Sequence, residues 1–368
     1  VIGAENYYNP FGPCGSPNRL SADLISEDDV PCEGVPLLLD YYRWTDLPRT
    51  NDNKATTWRF LQGFSGSWGD WDWDTALVWS EAERTDVTER LSNTLMQEAL
   101  DDPTPAAYNP FHGEVLESNV ERAIVDVYRK NNTDLKMVDF KLSKYDLFNL
   151  PAGPVGFLLG AEYRKESFKD DRDDRLDGTI TFTDVDGDTF PYISDVINSS
   201  PSADSSGSRN TTSLFVEFGI PVFENFDLHA ALRYEDMSDV GDTTVGKIAF
   251  GWRIFDPLLI RGSWSEAFRA PNLITINEEL VVRTNTVRNY SCQYAVDVWE
   301  AGLDPDDPNF DDADDELVCS GGVQRRASGS KDLEPEKSTN TSIGLVWDAT
   351  DSLMFTLDFW RIKKKDTI

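Results

Sequence analysis

Apolar and polar residues alternate along much of this chain, and the recurrent period is two, not 3.6. Trp58, Phe60, Phe64 and Trp68 fall on one face of a segment whose other face carries Thr57, Arg59, Gly63, Ser65 and Ser67. Trp71, Trp73, Leu77 and Trp79 alternate in the same way with Asp72, Asp74, Ala76 and Val78. The pattern recurs through Phe226, Leu228, Ala230, Leu232 and Tyr234, through Ile248, Phe250, Trp252 and Ile254, and through Leu353, Phe355, Leu357 and Phe359. These runs are about ten residues or longer, against the five or six usual in soluble sheets, and a strand needs about 9–11 to cross a bilayer. Charged residues occupy mid-strand positions on the polar face, and aromatics gather near the strand ends on the apolar face. A wall with lipid on one side and water on the other requires that arrangement, because every backbone group must pair within the sheet. The expectation is an all-β fold: a transmembrane antiparallel up-and-down β-barrel, with roughly ten to twelve strands in this chain. A soluble sandwich would have shorter strands and fewer tryptophans at their ends.

The connectors point the same way. Short links are expected at 221–225, 255–257 and 347–352, and long polar stretches at about 168–211 and 272–335. Short turns on one side and long loops on the other is the asymmetry of outer-membrane barrels, with the long loops outside. Val87–Leu100 reads as one short helix within a third long connection. Tyr8-Asn9-Pro10-Phe11 recurs as Tyr108-Asn109-Pro110-Phe111, which reads as two similar aromatic-anchored turns.

Charge narrows the function. With 34 Lys+Arg against 66 Asp+Glu the net charge is −32, which repels phosphate backbones and speaks against a nucleic-acid binder. An aromatic content of 12% excludes global disorder. No apolar run is long enough for a transmembrane helix. The acidic residues concentrate in the long stretches, at Asp170–Asp174, Asp304–Asp307 and Asp311–Glu316, and read as solvated loop faces. Asp184-Val185-Asp186-Gly187-Asp188 has alternate oxygen donors but lacks the continuation of a calcium loop, so no metal site is assigned. Two histidines, His112 in a turn and His229 on a polar strand face, leave no nucleophile–base pair, and no enzyme activity or cofactor is expected. Cys14 and Cys32, and Cys292 and Cys319, lie as two local pairs in polar loop sequence. Two loop disulfides in an oxidising compartment are the favoured reading; four free thiols are the alternative, and four cysteines allow three connectivities. Val1–Glu5 has no signal-peptide character, and the chain stops directly after a strand-like segment, so a piece of a longer protein is expected.

Several phrases carry a family resemblance. Arg261-Gly262-Ser263-Trp264-Ser265-Glu266-Ala267-Phe268-Arg269-Ala270-Pro271 resembles the R-x-S-x-S-x-x-F-R-A-P phrase of TonB-dependent receptors. Leu333-Glu334-Pro335-Glu336-Lys337-Ser338 resembles the L-x-P-E-x-S phrase that opens the next strand of that family, and Asp358-Phe359-Trp360-Arg361-Ile362 its D-x-W-x-I strand. Gly160-Ala161-Glu162-Tyr163-Arg164 and Phe215–Pro221 resemble further segments in the same order. The resemblance implies that residues 1–368 are the central part of a 22-stranded barrel, roughly half of it, with the plug domain and the C-terminal strands absent. It implies an outer-membrane location in a Gram-negative bacterium and active uptake of a scarce bulky ligand (a siderophore, vitamin, glycan or peptide). The implied partners are TonB, acting through the missing plug, and outer-membrane lipid. Alternative readings are a passive porin-like or adhesin barrel, and a soluble secreted β-rich carbohydrate binder. Arg261, Ser263, Ser265, Phe268, Arg269, Pro271, Glu334, Pro335, Glu336, Asp358 and Trp360 are read as structural motif positions. Pro271 would end strand pairing and Phe268 anchor at the outer interface. Arg269 would pair with a carboxylate or meet an anionic ligand. Tyr290, Tyr294 and Trp299 are the aromatic candidates for ligand contact in the second long loop, and no ligand-binding residue is assigned.

Overall fold

A computed structural model of the chain describes all residues except 27, 40, 41, 45, 46, 48, 114, 115, 185, 186, 301, 303–318 and 368, and of Thr284, Val296, Trp299 and Glu300 it describes the backbone alone. Twelve strands follow in chain order: β1 (Asn51–Trp68), β2 (Trp71–Leu91), β3 (Ile124–Leu150), β4 (Gly153–Arg172), β5 (Ser205–Phe223), β6 (Phe226–Met237), β7 (Gly241–Phe255), β8 (Leu258–Arg269), β9 (Val281–Arg288), β10 (Ser320–Ala327), β11 (Glu336–Thr350) and β12 (Leu353–Lys365). Ten of them form one antiparallel sheet in the order β1-β2-β3-β4-β5-β6-β7-β8-β11-β12, and β9 and β10 form a separate hairpin. The sheet is an up-and-down meander that does not close; β1 and β12 each have a strand partner on one side only among the described residues.

Register sets the two faces. Even positions of β6 pair with even positions of β7, so Leu228 meets Phe250 and Ala230 meets Ile248. Ile248 in turn meets Trp264, Trp264 meets Thr341, and Ile343 meets Phe359. One face is therefore a continuous apolar belt. Phe64 (62% exposed), Trp68 (63%), Leu357 (74%) and Phe359 (68%) lie on it. Exposed apolar surface of this extent needs an apolar surrounding. Trp58 and Trp79 pack edge to face at 4.9 Å on the upper margin, and Trp68 and Trp73 lie 5.6 Å apart near the lower one. Trp58 and Trp68 are ten residues apart on β1. That interval is about 33 Å of strand, or about 25 Å of height at a tilt near 40°, the height of a lipid-facing band.

The short turns lie together at one edge. Gly69, at φ 64, supplies the left-handed residue that lets Trp68 pair with Trp71 across the β1–β2 turn. The first expected long loop is shorter than the sequence pattern indicated, since β4 continues to Arg172 and β5 starts at Ser205, whereas the second fills the interval between β8 and β11 as expected. Above the belt both faces of a strand are polar, so alternation disappears although pairing continues. Asp170 is accordingly not a solvated loop residue: it is buried in β4 and accepts two hydrogen bonds from Arg129 at 2.8 Å. The acidic runs at 304–307 and 311–316 lie outside the described residues, as do 185 and 186 of the calcium-like phrase. One connection on the long-loop side, 238–240, is short.

The expected single loop helix also needs correction. Residues 87–91 stay in β2, and the helix α1 spans Asn93–Asp101, with Ser92 as its N-cap accepting from the Leu95 amide at 3.2 Å. Two more helices, α2 (Leu273–Asn277) and α3 (Tyr290–Glu300), and a 3-10 turn (Val120–Arg122) lie in the loops. The helix α1 is not peripheral: Met96 and Ala99 are buried with Leu91, Tyr108, Val120 and Ala123 in a small apolar core above the sheet. Residues of the N-terminal segment seal it, with Asn6 donating to the Leu100 carbonyl at 2.8 Å. The repeated aromatic phrase forms two like turns, in which Asn9 accepts from the Phe11 amide (2.9 Å) and Asn109 from the Phe111 amide (3.0 Å).

Candidate functional site

The face opposite the belt is polar and carries the motif residues. Arg261 on β8, Gly344 on β11 and Asp358 on β12 are register partners in one row. Two strands apart, backbones stand about 9.6 Å from each other, so side chains can join only over a residue that leaves the space free. Gly344 does so. The Arg261 guanidinium donates to both Asp358 oxygens, at 2.9 and 2.8 Å, over its bare backbone. A Cβ on Gly344 would lie 2.0 Å from Asp358 Oδ1. In the next row the Ser263 and Ser342 hydroxyls meet at 2.8 Å, beside Trp360, which lies on the same inner face. Ser265 pairs in register with Asn340. At the top of the strand Arg269 Nε stands 3.3 Å from Glu336 Oε2. Phe268 alternates onto the apolar face, opposite Lys337. The three phrases of the sequence motif therefore meet as one cross-strand ladder over β8, β11 and β12.

Pro271 is fully buried where β8 gives way to the long loop. Its carbonyl accepts from Arg209 Nη2 at 2.7 Å, and Arg209 Nε donates to Asp239 at 2.7 Å, so one guanidinium on β5 ties two connections. Pro335 is buried and Glu334 exposed just before β11. Cys14 is bonded to Cys32 and Cys292 to Cys319, at Cα separations of 4.8 and 5.3 Å. Tyr290 and Tyr294 are 78% and 71% exposed on α3; the Trp299 side chain lies outside the described residues.

Further charges continue along the wall. Lys141 donates to Asp74 at 3.2 Å. Arg233 donates to Glu235 (2.6 Å) and to Ser213 (3.1 Å). Nearer the short turns the wall holds a hollow of about 680 Å³, lined by Asp72, Gly156, Glu217, Gly219, His229 and Lys247 among others.

Some functional candidates had no sequence signal. Asp195 is fully buried and accepts from Ser92 (2.8 Å), from the Thr94 amide (2.7 Å) and hydroxyl (2.5 Å), and from Arg175. It locks the β4–β5 loop onto the start of α1. Asp102, at the C-terminal end of α1, is held down to about 2, first by Arg122 and then by Thr104, both hydrogen-bonded to it. Neither acid lies in a motif, and their partners are distant in the chain or in irregular sequence. Gly344 was findable in principle, as the one side-chain-free position in register between an Arg and an Asp of two motif phrases.

Comparison with known proteins agrees with this architecture. The family described as TonB dependent receptor-like, beta-barrel matches residues 13–368. No curated protein sequence matches the chain. Among solved structures, the siderophore receptor PirA from Acinetobacter baumannii is 16% identical with a TM-score of 0.52, over 86% of this chain and 35% of that one. A mutant of the ferric enterobactin receptor PfeA from Pseudomonas aeruginosa, in complex with enterobactin, is 15% identical with a TM-score of 0.51, over 85% of this chain and 35% of that one. At such identities the likeness concerns the fold, and the chain spans about a third of the length of either receptor. The family match over nearly the whole chain, the open meander with its apolar outer belt, and the three motif phrases joined in one ladder lead to a single conclusion: the chain belongs to the TonB-dependent receptor β-barrel family.

Proposed function

We propose that this chain forms about half of the wall of an outer-membrane receptor that actively imports a scarce bulky ligand. The observation that carries the reading is the two-faced sheet: an apolar belt about 25 Å high outside and a charged, hydrogen-bonded wall inside. The belt speaks against a soluble carbohydrate binder, which would have to cover it. On this reading the ligand meets the outer loops and the upper wall, where Tyr290 and Tyr294 stand exposed. TonB acts through a plug domain supplied by the rest of the protein, and energy comes from the inner membrane and not from chemistry in this chain. The motif ladder of Arg261, Ser263, Ser265, Arg269, Glu336, Asp358 and Trp360 holds three strands in register, Pro271 anchors the loop above them, and Phe268 faces the outer interface. The two structures of like fold are a siderophore receptor and a ferric enterobactin receptor, so a ferric siderophore is the first ligand class to try.

The test is uptake of labelled ferric siderophores by cells expressing the full-length protein, with and without TonB. Uptake that needs both the protein and TonB supports the reading. Uptake that persists without TonB refutes it in favour of a passive pore.

A further inference from the structure

Arg233 meets Phe215 in register, and Phe215 meets Gly160, so the even positions of β4 share the inner face. Arg164 and Glu166 are two of them, and the row of Glu166 continues to Leu135 on β3 and Ser80 on β2. These strands lie in the middle of the sheet, each paired on both sides. Arg164 differs from other arginines of this wall. Arg129, Arg209, Arg233 and Arg261 each donate at least two hydrogen bonds of 3.1 Å or less. Arg164 Nε is buried without a hydrogen-bond partner, and carboxylate oxygens of Glu166 and Glu162 stand 3.5 and 3.8 Å from the guanidinium nitrogens. Glu166, Ser80 and Thr133 make no side-chain hydrogen bond among the described residues either.

These four side chains line one hollow of about 580 Å³, and Leu273 and Ile274 of α2 give it an apolar side. The loop that carries α2 is pinned. Arg209 holds the Pro271 carbonyl at 2.7 Å, and a Cβ on Gly207 of β5 would lie 2.4 Å from Asn277 Nδ2. The hollow is therefore preformed by this chain's own strands and loop, at a volume within the roughly 300–1,000 Å³ of small-molecule sites. The charges that line it cancel, Arg164 and Arg209 against Asp134 and Glu166, so neither an anion nor a cation is preferred. It offers a guanidinium donor, a carboxylate acceptor and two hydroxyls beside aliphatic carbon. A ligand that matches both parts has many hydroxyls and a face of C–H groups, which is the surface of a sugar ring.

We propose that this hollow binds a neutral sugar, with vicinal hydroxyls on Arg164 and Glu166, further hydroxyls on Ser80 and Thr133, and the C–H face of the ring against Leu273 and Ile274. Arg164 then gains the hydrogen bonds that its carboxylate neighbours stand too far away to make. The site adds a glycan to the ligands of the receptor proposed above. It rests on that reading for import, whereas binding itself needs no TonB.

The experiment is calorimetric titration of the full-length protein in a polyoxyethylene detergent, since glycoside detergents would compete, with maltose, cellobiose, lactose and citrate as probes. The wild type should bind at least one of the three disaccharides, and bind it more tightly than citrate. Arg164→Gln and Glu166→Gln should each weaken that binding on the order of tenfold, and Thr133→Val, which keeps the shape of the side chain, about threefold. Lys165→Gln removes a charge from the outer face of the same strand and should change nothing. Heat-modifiability on gels shows which variants are folded. No binding of any disaccharide would overturn the site, as would equal affinities of the wild type, Arg164→Gln and Thr133→Val, or a loss in Lys165→Gln as large as that in Arg164→Gln. Tighter binding of citrate than of any sugar would overturn the neutral assignment. Uptake is read separately: labelled disaccharide that enters cells without TonB would sink the receptor reading and leave the wall site standing.

Discussion

Gly344→Ala should destabilise the barrel, and the loss should depend on Asp358. The new Cβ would lie 2.0 Å from Asp358 Oδ1 and 3.1 Å from Arg261 Nε. Ordinary contact begins near 3.4 Å, so the carboxylate must move by more than an ångström, which breaks hydrogen bonds now at 2.8 and 2.9 Å. The side chains are 50% and 43% exposed, so water takes up much of the lost interaction. A bidentate pair of that exposure contributes about 1 kcal/mol, the upper end of the exposed range. Alanine itself is favoured over glycine within a strand, by roughly 0.5 kcal/mol. The cycle therefore has an asymmetric expectation: about 0.5 kcal/mol lost in the wild type, and about 0.5 kcal/mol gained in an Asp358→Ala background. Reversible urea unfolding of the full-length protein in lipid vesicles measures both. Equal effects of Gly344→Ala in the two backgrounds would show that the ladder does not run over Gly344.

Other parts of the structure make separate predictions. Asp195→Asn strands Arg175 against a neutral amide in a buried site, at a cost of about 3 kcal/mol. Limited proteolysis should then cut within 173–204 while the sheet stays intact. Asp102, lowered from 3.8 to about 2, contributes stability that is fully present above pH 3.8 and is lost as the pH falls through about 2. Carboxyl NMR shifts followed across that window should show the titration, and Arg122→Ala should move it back toward 3.8. Reducing Cys14–Cys32 and Cys292–Cys319 relaxes two loops and should raise their protease sensitivity, each link being worth about 3 kcal/mol to the local fold. The heat-modifiability of the barrel band on gels should not change.

The sheet was legible where one face is apolar and the other polar. Across the belt, from Trp58 to Trp68 or Leu353 to Phe359, alternation gives both the strand and its inward face. Higher up, β3 continues past Lys136 and β4 past Lys165 with polar residues on both faces, and the pattern no longer distinguishes strand from loop. The start of α1 was misplaced for a related reason, since Val87–Leu91 has helix-like apolar spacing yet is paired in register with 124–128. The motif phrases located β8, β11 and β12, but not the contacts between them. Those depend on register, which sets Gly344 between Arg261 and Asp358. The Arg175–Asp195 tie holds the β4–β5 loop to itself and the Arg209–Asp239 tie holds a loop to the wall, and no local pattern encodes such pairs.

The face assignment on β6 tests the account most directly. The described chain has no free cysteine, so single cysteines placed in turn at 226–237 of the full-length protein can each carry one nitroxide. After reconstitution in lipid, accessibility to oxygen and to a water-soluble nickel complex is measured at each position. The account predicts two curves of period two in antiphase, with oxygen highest at Phe226, Leu228, Ala230 and Leu232, and nickel highest at Asp227, His229, Ala231 and Arg233. High nickel accessibility at both sets would mean water on both faces, and the chain would not be a membrane wall.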